Sequence, residues 1–96
     1  MTISVVFEFP TSSVDDYRKV FEIGGAPILE QPARLHHQCF QNGDGFTVID
    51  VWESEESFAA FGEVLGPILQ QLGLVTAPKV HRTYRTVSHE GTLADY

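Results

Sequence analysis

The tetrapeptide "NGDG", residues 42–45, stands between two runs that both read as β-strand, and this hairpin signal constrains the chain more than any other feature. Glycine next to Asn or Asp admits the positive φ angles that a tight reversal needs. Upstream lies "RLHHQCFQ", residues 34–41. Downstream lies "FTVIDVWE", residues 46–53, in which six of eight residues are apolar or β-branched. That composition suits a half-buried pleated strand better than a helix. One residue conflicts with it. Asp50 sits in the middle of the second run, and an unpartnered carboxylate buried there costs several kcal/mol.

Register arithmetic supplies a partner. If Gln41 pairs with Phe46 across a four-residue loop, His37 lies opposite Asp50. If the turn is the two-residue Asn42-Gly43, Leu35 opposes Asp50 and His37 is its diagonal neighbour. Both registers put His37 and Asp50 on one face of the sheet, within mutual reach. Leu35, Cys39, Phe46, Val48 and Trp52 are expected on that face, and His36 on the other.

The other elements assemble around this hairpin. "ISVVFEF", residues 3–9, is a first strand closed by Pro10. A helix follows, capped by Ser12 or Ser13, with Asp15 and Asp16 in its first turn and Gly24-Gly25 after its end. Val14, Tyr17, Val20 and Phe21 fall on its apolar side. A loop with Pro27 and Pro32 leads to the hairpin. Ser54 caps a second helix with the stripe Phe58, Phe61, Leu65 and Leu69, where Gly66-Pro67 predicts a kink or a division into two. "PKVHRTYRTV", residues 78–87, reads as the last strand. The polar segment 88–96 reads as a mobile tail, leaving residues 1–87 as a single domain.

The order β-α-β-β-α-β is the split pattern of ferredoxin-like α+β folds, a four-stranded antiparallel sheet with two helices on one face. In that topology the first and third strands are central, and the polar second and fourth strands are edges. The central strands are nevertheless apolar on both faces: Ile3, Val5, Phe7 and Phe9 on one, Val6, Ile49 and Val51 on the other. A second copy of the chain laid against the open face accounts for this, so a homodimer is expected.

Composition excludes several classes. A formal net charge of −7 repels nucleic acid. The N-terminus lacks a basic region, and no apolar run approaches the roughly 18 residues of a membrane helix. The expectation is a cytoplasmic protein with no membrane or nucleic-acid partner. The single Cys39 has no basic cluster around it and reads as a small hydrophobe. His81, His89 and the His36-His37 pair follow no metal-ligand spacing, so no metal is expected.

The segments "VVFEFPTSSVDDY", "VIDVWESEESFAAF" and "LGPILQQLG" resemble the dimeric α+β barrel superfamily, and within it the small antibiotic-biosynthesis-monooxygenase-like proteins. The strongest element is the step Asp50, Trp52, Glu53, Ser54 from strand into helix. The resemblance implies the dimeric barrel. It also implies an activity range from cofactor-free oxygenation of aromatics and quinols to heme degradation. Heme-degrading members carry a tryptophan and a heme-ligating histidine where this chain has Phe61 and Gln71; the monooxygenase-like members often have histidine at the first of these. Neither group is present, so no cofactor is expected.

A carboxylate beside an imidazole fixes which ring nitrogen carries the proton, and such a ring can act as a general base toward a phenol or enol. His37 and Asp50 are therefore the candidate catalytic pair, with Tyr17, Trp52 and Phe61 as aromatic walls for a small aromatic or quinone-like ligand. The alternative is a non-catalytic dimer, binding a small ligand or purely structural, in which the Asp–His bond stitches an edge strand to a central one.

Overall fold

A computed structural model describes residues 1–86; the proposed tail, with His89, lies outside them. Strand β1 (Ile3–Phe9) leads into helix α1 (Val14–Gly24) and a one-turn helix α2 (Ala26–Leu29). Strands β2 (Arg34–Asn42) and β3 (Gly45–Trp52) form the hairpin, followed by helix α3 (Glu55–Leu72) and strand β4 (Lys79–Arg82). The strands form one antiparallel sheet in the order β2-β3-β1-β4, so the apolar strands are central and the polar ones are edges.

Local chemistry sets the element ends. Ser13 caps α1 by accepting from the Asp16 N–H, while the Asp16 carboxylate accepts from the Ser13 N–H. That backbone hydrogen bond holds the Asp16 carboxyl below its ordinary range. Gly25, at φ +60°, ends the helix in a conformation that a side chain resists. Its N–H bonds back to the Phe21 carbonyl. Ser54 and Ser57 form the equivalent box at α3. The turn of the hairpin is Gly43-Asp44, with Gly43 at φ +61°.

One hydrophobic cluster joins the helices to the sheet. Ile3, Val5, Phe7, Phe9, Phe46, Val48 and Trp52 pack beneath Val20 of α1, Ile28 of α2 and Phe61 of α3. Val6 and Ile49, on the opposite face, are only half-buried.

Three expectations are corrected. The loop after α1 contains a helical turn, which Pro27 near its start favours through its fixed φ. Of the kink or division expected at Gly66-Pro67, the division is overturned, since Pro67 sits inside one continuous α3. Strand β4 ends at Arg82 rather than running to 87. Arg82 pairs with Ile3, the first residue of β1, so an antiparallel partner strand has no more of β1 to bond with.

Candidate functional site

The hairpin adopts the first of the two registers: Gln41 pairs with Phe46, and His37 lies directly opposite Asp50. His37 Nδ1 is 2.6 Å from Asp50 Oδ1. Asp50 is 2% exposed, while the His37 side chain retains 28%. The buried carboxylate thus faces the edge-strand imidazole across one ladder rung.

Helix α1 completes the arrangement. Its capped start orients Tyr17, Val20 and Phe21 toward the sheet, and Tyr17 Oη is 2.6 Å from His37 Nε2. Burial pushes the Tyr17 phenol above its ordinary value, helped by the nearby Cys39 and Asp50 and opposed by Arg34. With a neutral imidazole the chain reads Tyr17 O–H to His37 Nε2, and His37 Nδ1–H to the Asp50 carboxylate, which satisfies all three groups with one tautomer. Phe21 meets the His37 ring edge-on at 6.1 Å, and Phe46 meets Tyr17 at 5.5 Å.

These groups form the polar wall of an otherwise apolar cavity of about 50 Å³ between the sheet and the helices. Phe7, Phe9, Phe46, Phe61 and Leu65 supply much of the rest. The cavity holds a few small atoms; an aromatic ligand requires the lining side chains to move apart, since benzene occupies cavities of about 150 Å³.

Of the residues singled out in the sequence, His37, Asp50, Tyr17 and Phe61 all line this cavity. Trp52 does not. It is fully buried behind Phe61, with ring centroids 4.8 Å apart, and its Nε1 has no hydrogen-bond partner. Cys39 is half-buried, and burial raises its thiol above the ordinary value, as suits a small hydrophobe.

Arg34 enters the site unannounced. A β-bulge between Arg34 and His36 leaves Leu35 unpaired and sets Arg34 opposite Trp52. The expected sharing of the His37 face by Leu35 is thereby overturned: Leu35 is 44% exposed. An unbroken ladder would have put Leu35 against Trp52 and Arg34 on the outer face. Instead the guanidinium lies 5.8 Å from the Trp52 ring and 5.5 Å from that of Phe61, on the cavity wall.

No protein-family model and no curated protein matches the chain. Solved structures do. The Rv0793 protein of Mycobacterium tuberculosis superposes with a TM-score of 0.69 at 13% identity, covering 92% of this chain and 100% of its own. SnoaB, a cofactor-independent oxygenase from Streptomyces nogalater, superposes with a TM-score of 0.61 at 17% identity, covering 92% and 96%. A Chloroflexus aurantiacus protein named for the antibiotic biosynthesis monooxygenases gives 0.61 at 13%, covering 93% and 97%. The chain has the antibiotic-biosynthesis-monooxygenase-like fold. Within this monooxygenase-like fold, α3 carries Phe61 toward the cavity and leaves Gln71 exposed. Among the described residues, no three His, Cys, Asp or Glu side chains come together in a group fit for a metal ion.

Proposed function

We propose that this protein is a cofactor-independent, monooxygenase-like enzyme of a small aromatic or quinone-like metabolite, with Asp50, His37 and Tyr17 as its proton-accepting relay. The observation that carries this is the hydrogen-bonded chain of those three residues on the wall of an apolar cavity. Similarity of fold to a cofactor-independent oxygenase supports the reaction class.

The geometry suits removal of a phenolic or enolic proton. A substrate hydroxyl donates to Tyr17 Oη as the Tyr17 proton passes to His37 Nε2, and the adjacent Asp50 carboxylate steadies the charge gained by the ring. The resulting electron-rich anion reduces dioxygen. A ring carbon bearing one hydrogen becomes a carbonyl: one oxygen atom stays on carbon, and the other leaves as water with that hydrogen and the proton returned from the relay. The apolar walls of Phe7, Phe46 and Phe61 shield that exchange from solvent.

A homodimer through the outer sheet face belongs to the same proposal. It is supported by the half-buried apolar Val6 and Ile49 there and by the exposed Phe40.

Oxygen uptake with a panel of naphthols and naphthohydroquinones, corrected for autoxidation, tests the proposal. Turnover by the wild type should fall by about 10²- to 10⁴-fold in His37→Ala, the usual contribution of a positioned base. Uptake equal in the two proteins sinks the catalytic reading. The small cavity favours the second reading, a structural Asp–His bond; on that reading His37→Ala lowers the melting temperature without any turnover to lose.

A further inference from the structure

The side of the cavity at Arg34, with Trp52 buried behind it, has more hydrogen-bond donors than acceptors. Arg34 Nη2 donates to the carbonyls of Ile28 and Leu29 at 3.0 and 3.1 Å, which ties the guanidinium to the end of α2. Its Nε and Nη1 hydrogens have no hydrogen-bond partner among the described residues, and no carboxylate lies within ion-pair distance. Trp52 Nε1, fully buried beneath the guanidinium, likewise has no acceptor. A half-buried guanidinium stacked on two aromatic rings and held in no ion pair keeps donors available to a ligand. Arg34 is also the only Lys or Arg on the cavity wall, in a chain whose net charge of −7 otherwise repels anions.

We infer that Arg34 is the anion-binding residue of the cavity, and that the ligand is an aromatic carrying an oxyanion that pairs with this guanidinium. The inference deepens the oxygenase reading and rests on it for its mechanistic consequence. When the relay takes the substrate's proton, the positive charge arrives beside Asp50 and the negative charge remains on the substrate. Two charges are then created in a cavity that holds a partner for each: Asp50 for protonated His37, and Arg34 for the substrate oxygen. The Nε–H and Nη1–H groups that Nη2's bonds to Ile28 and Leu29 leave free can each donate a charge-assisted hydrogen bond to an oxyanion, carboxylate or phenolate. The bulge at Leu35 thus has a chemical result, since it turns a cation inward where an unbroken strand would place leucine.

Isothermal calorimetry with 1-hydroxy-2-naphthoate and 1-naphthol tests this, because the two differ chiefly in the anionic group. Wild type should bind the carboxylate at least about tenfold more tightly, as a charge-assisted pair implies. Arg34→Met, which keeps the apolar packing on Trp52 and Phe61, should bring the two affinities to within about twofold. Arg34→Lys, which keeps the charge but not the fork, should fall between. Equal affinities in wild type, failure of the carboxylate to bind, or a preference undiminished in Arg34→Met overturns the inference. If circular dichroism shows Arg34→Met unfolded, Arg34→Lys decides alone, and an unchanged preference overturns it. Turnover plays no part in this readout. An anion preference without oxygen uptake therefore overturns the oxygenase reading and leaves the Arg34 site standing.

Discussion

Asp50 is a polar residue in an apolar strand, and its environment shows why the strand tolerates it. The carboxylate is buried but bonded to His37, whose other nitrogen is bonded to Tyr17. Truncating one member of such a chain strands the others, so Asp50→Asn should cost both turnover and stability. Turnover should drop at least about tenfold through loss of the tautomer lock, as steady-state oxygen uptake will read. Tyr17 carries a pH signature. Its folded-state value is raised above the ordinary 10.0, chiefly by burial, so the folded protein favours the neutral phenol. The associated stability is fully present below about pH 10 and is lost as pH rises through the raised value. Urea unfolding between pH 7 and 11 should show a steeper alkaline decline for wild type than for Tyr17→Phe. Identical slopes would contradict a buried, hydrogen-bonded phenol.

At the scale of elements, the site was half legible in the sequence. A strand's period of two, with the turn residues at 42–45, was enough to place His37 and Asp50 on one face for either even-length turn, whereas an odd-length one would have substituted His36. The Tyr17 contact was not legible as a bond, because helix periodicity gives a face but not a distance. Arg34 was invisible for a different reason: a bulge is a backbone event, and nothing in "ARLHHQ" distinguishes a regular ladder from one that drops Leu35. Helix α3 offers a separate check. Gly62 lies within it, and a Cβ there meets open space. Gly62→Ala should therefore raise unfolding free energy by roughly 0.5–1 kcal/mol, measured by denaturant titration, because alanine loses less backbone freedom on folding. Removing the Ser54 cap by Ser54→Ala should lower it by about 1 kcal/mol.

The strand order of the whole molecule followed from composition, since apolar runs seek the sheet centre and polar ones tolerate an edge. The extent of β4 did not, because it depends on where its partner β1 begins. The outer sheet face gives the molecular-scale prediction. Val6 and Ile49 lie there half-buried, and Phe40 is exposed nearby. Analytical ultracentrifugation should find a dimer, and Ile49→Glu should yield a monomer. A wild-type monomer at all concentrations would contradict association through this face. No described helix is long and apolar enough to cross a membrane.

The central claim is that the Asp50–His37–Tyr17 chain takes a proton from an aromatic hydroxyl held in the cavity. Anaerobic absorbance spectroscopy isolates that step from the later reaction with oxygen. A naphthol mixed with the protein at neutral pH under argon should show the red-shifted band of its naphtholate on wild type and lose it on His37→Ala. A naphthol that stays neutral on wild type, or ionises equally on both proteins, would contradict the claim.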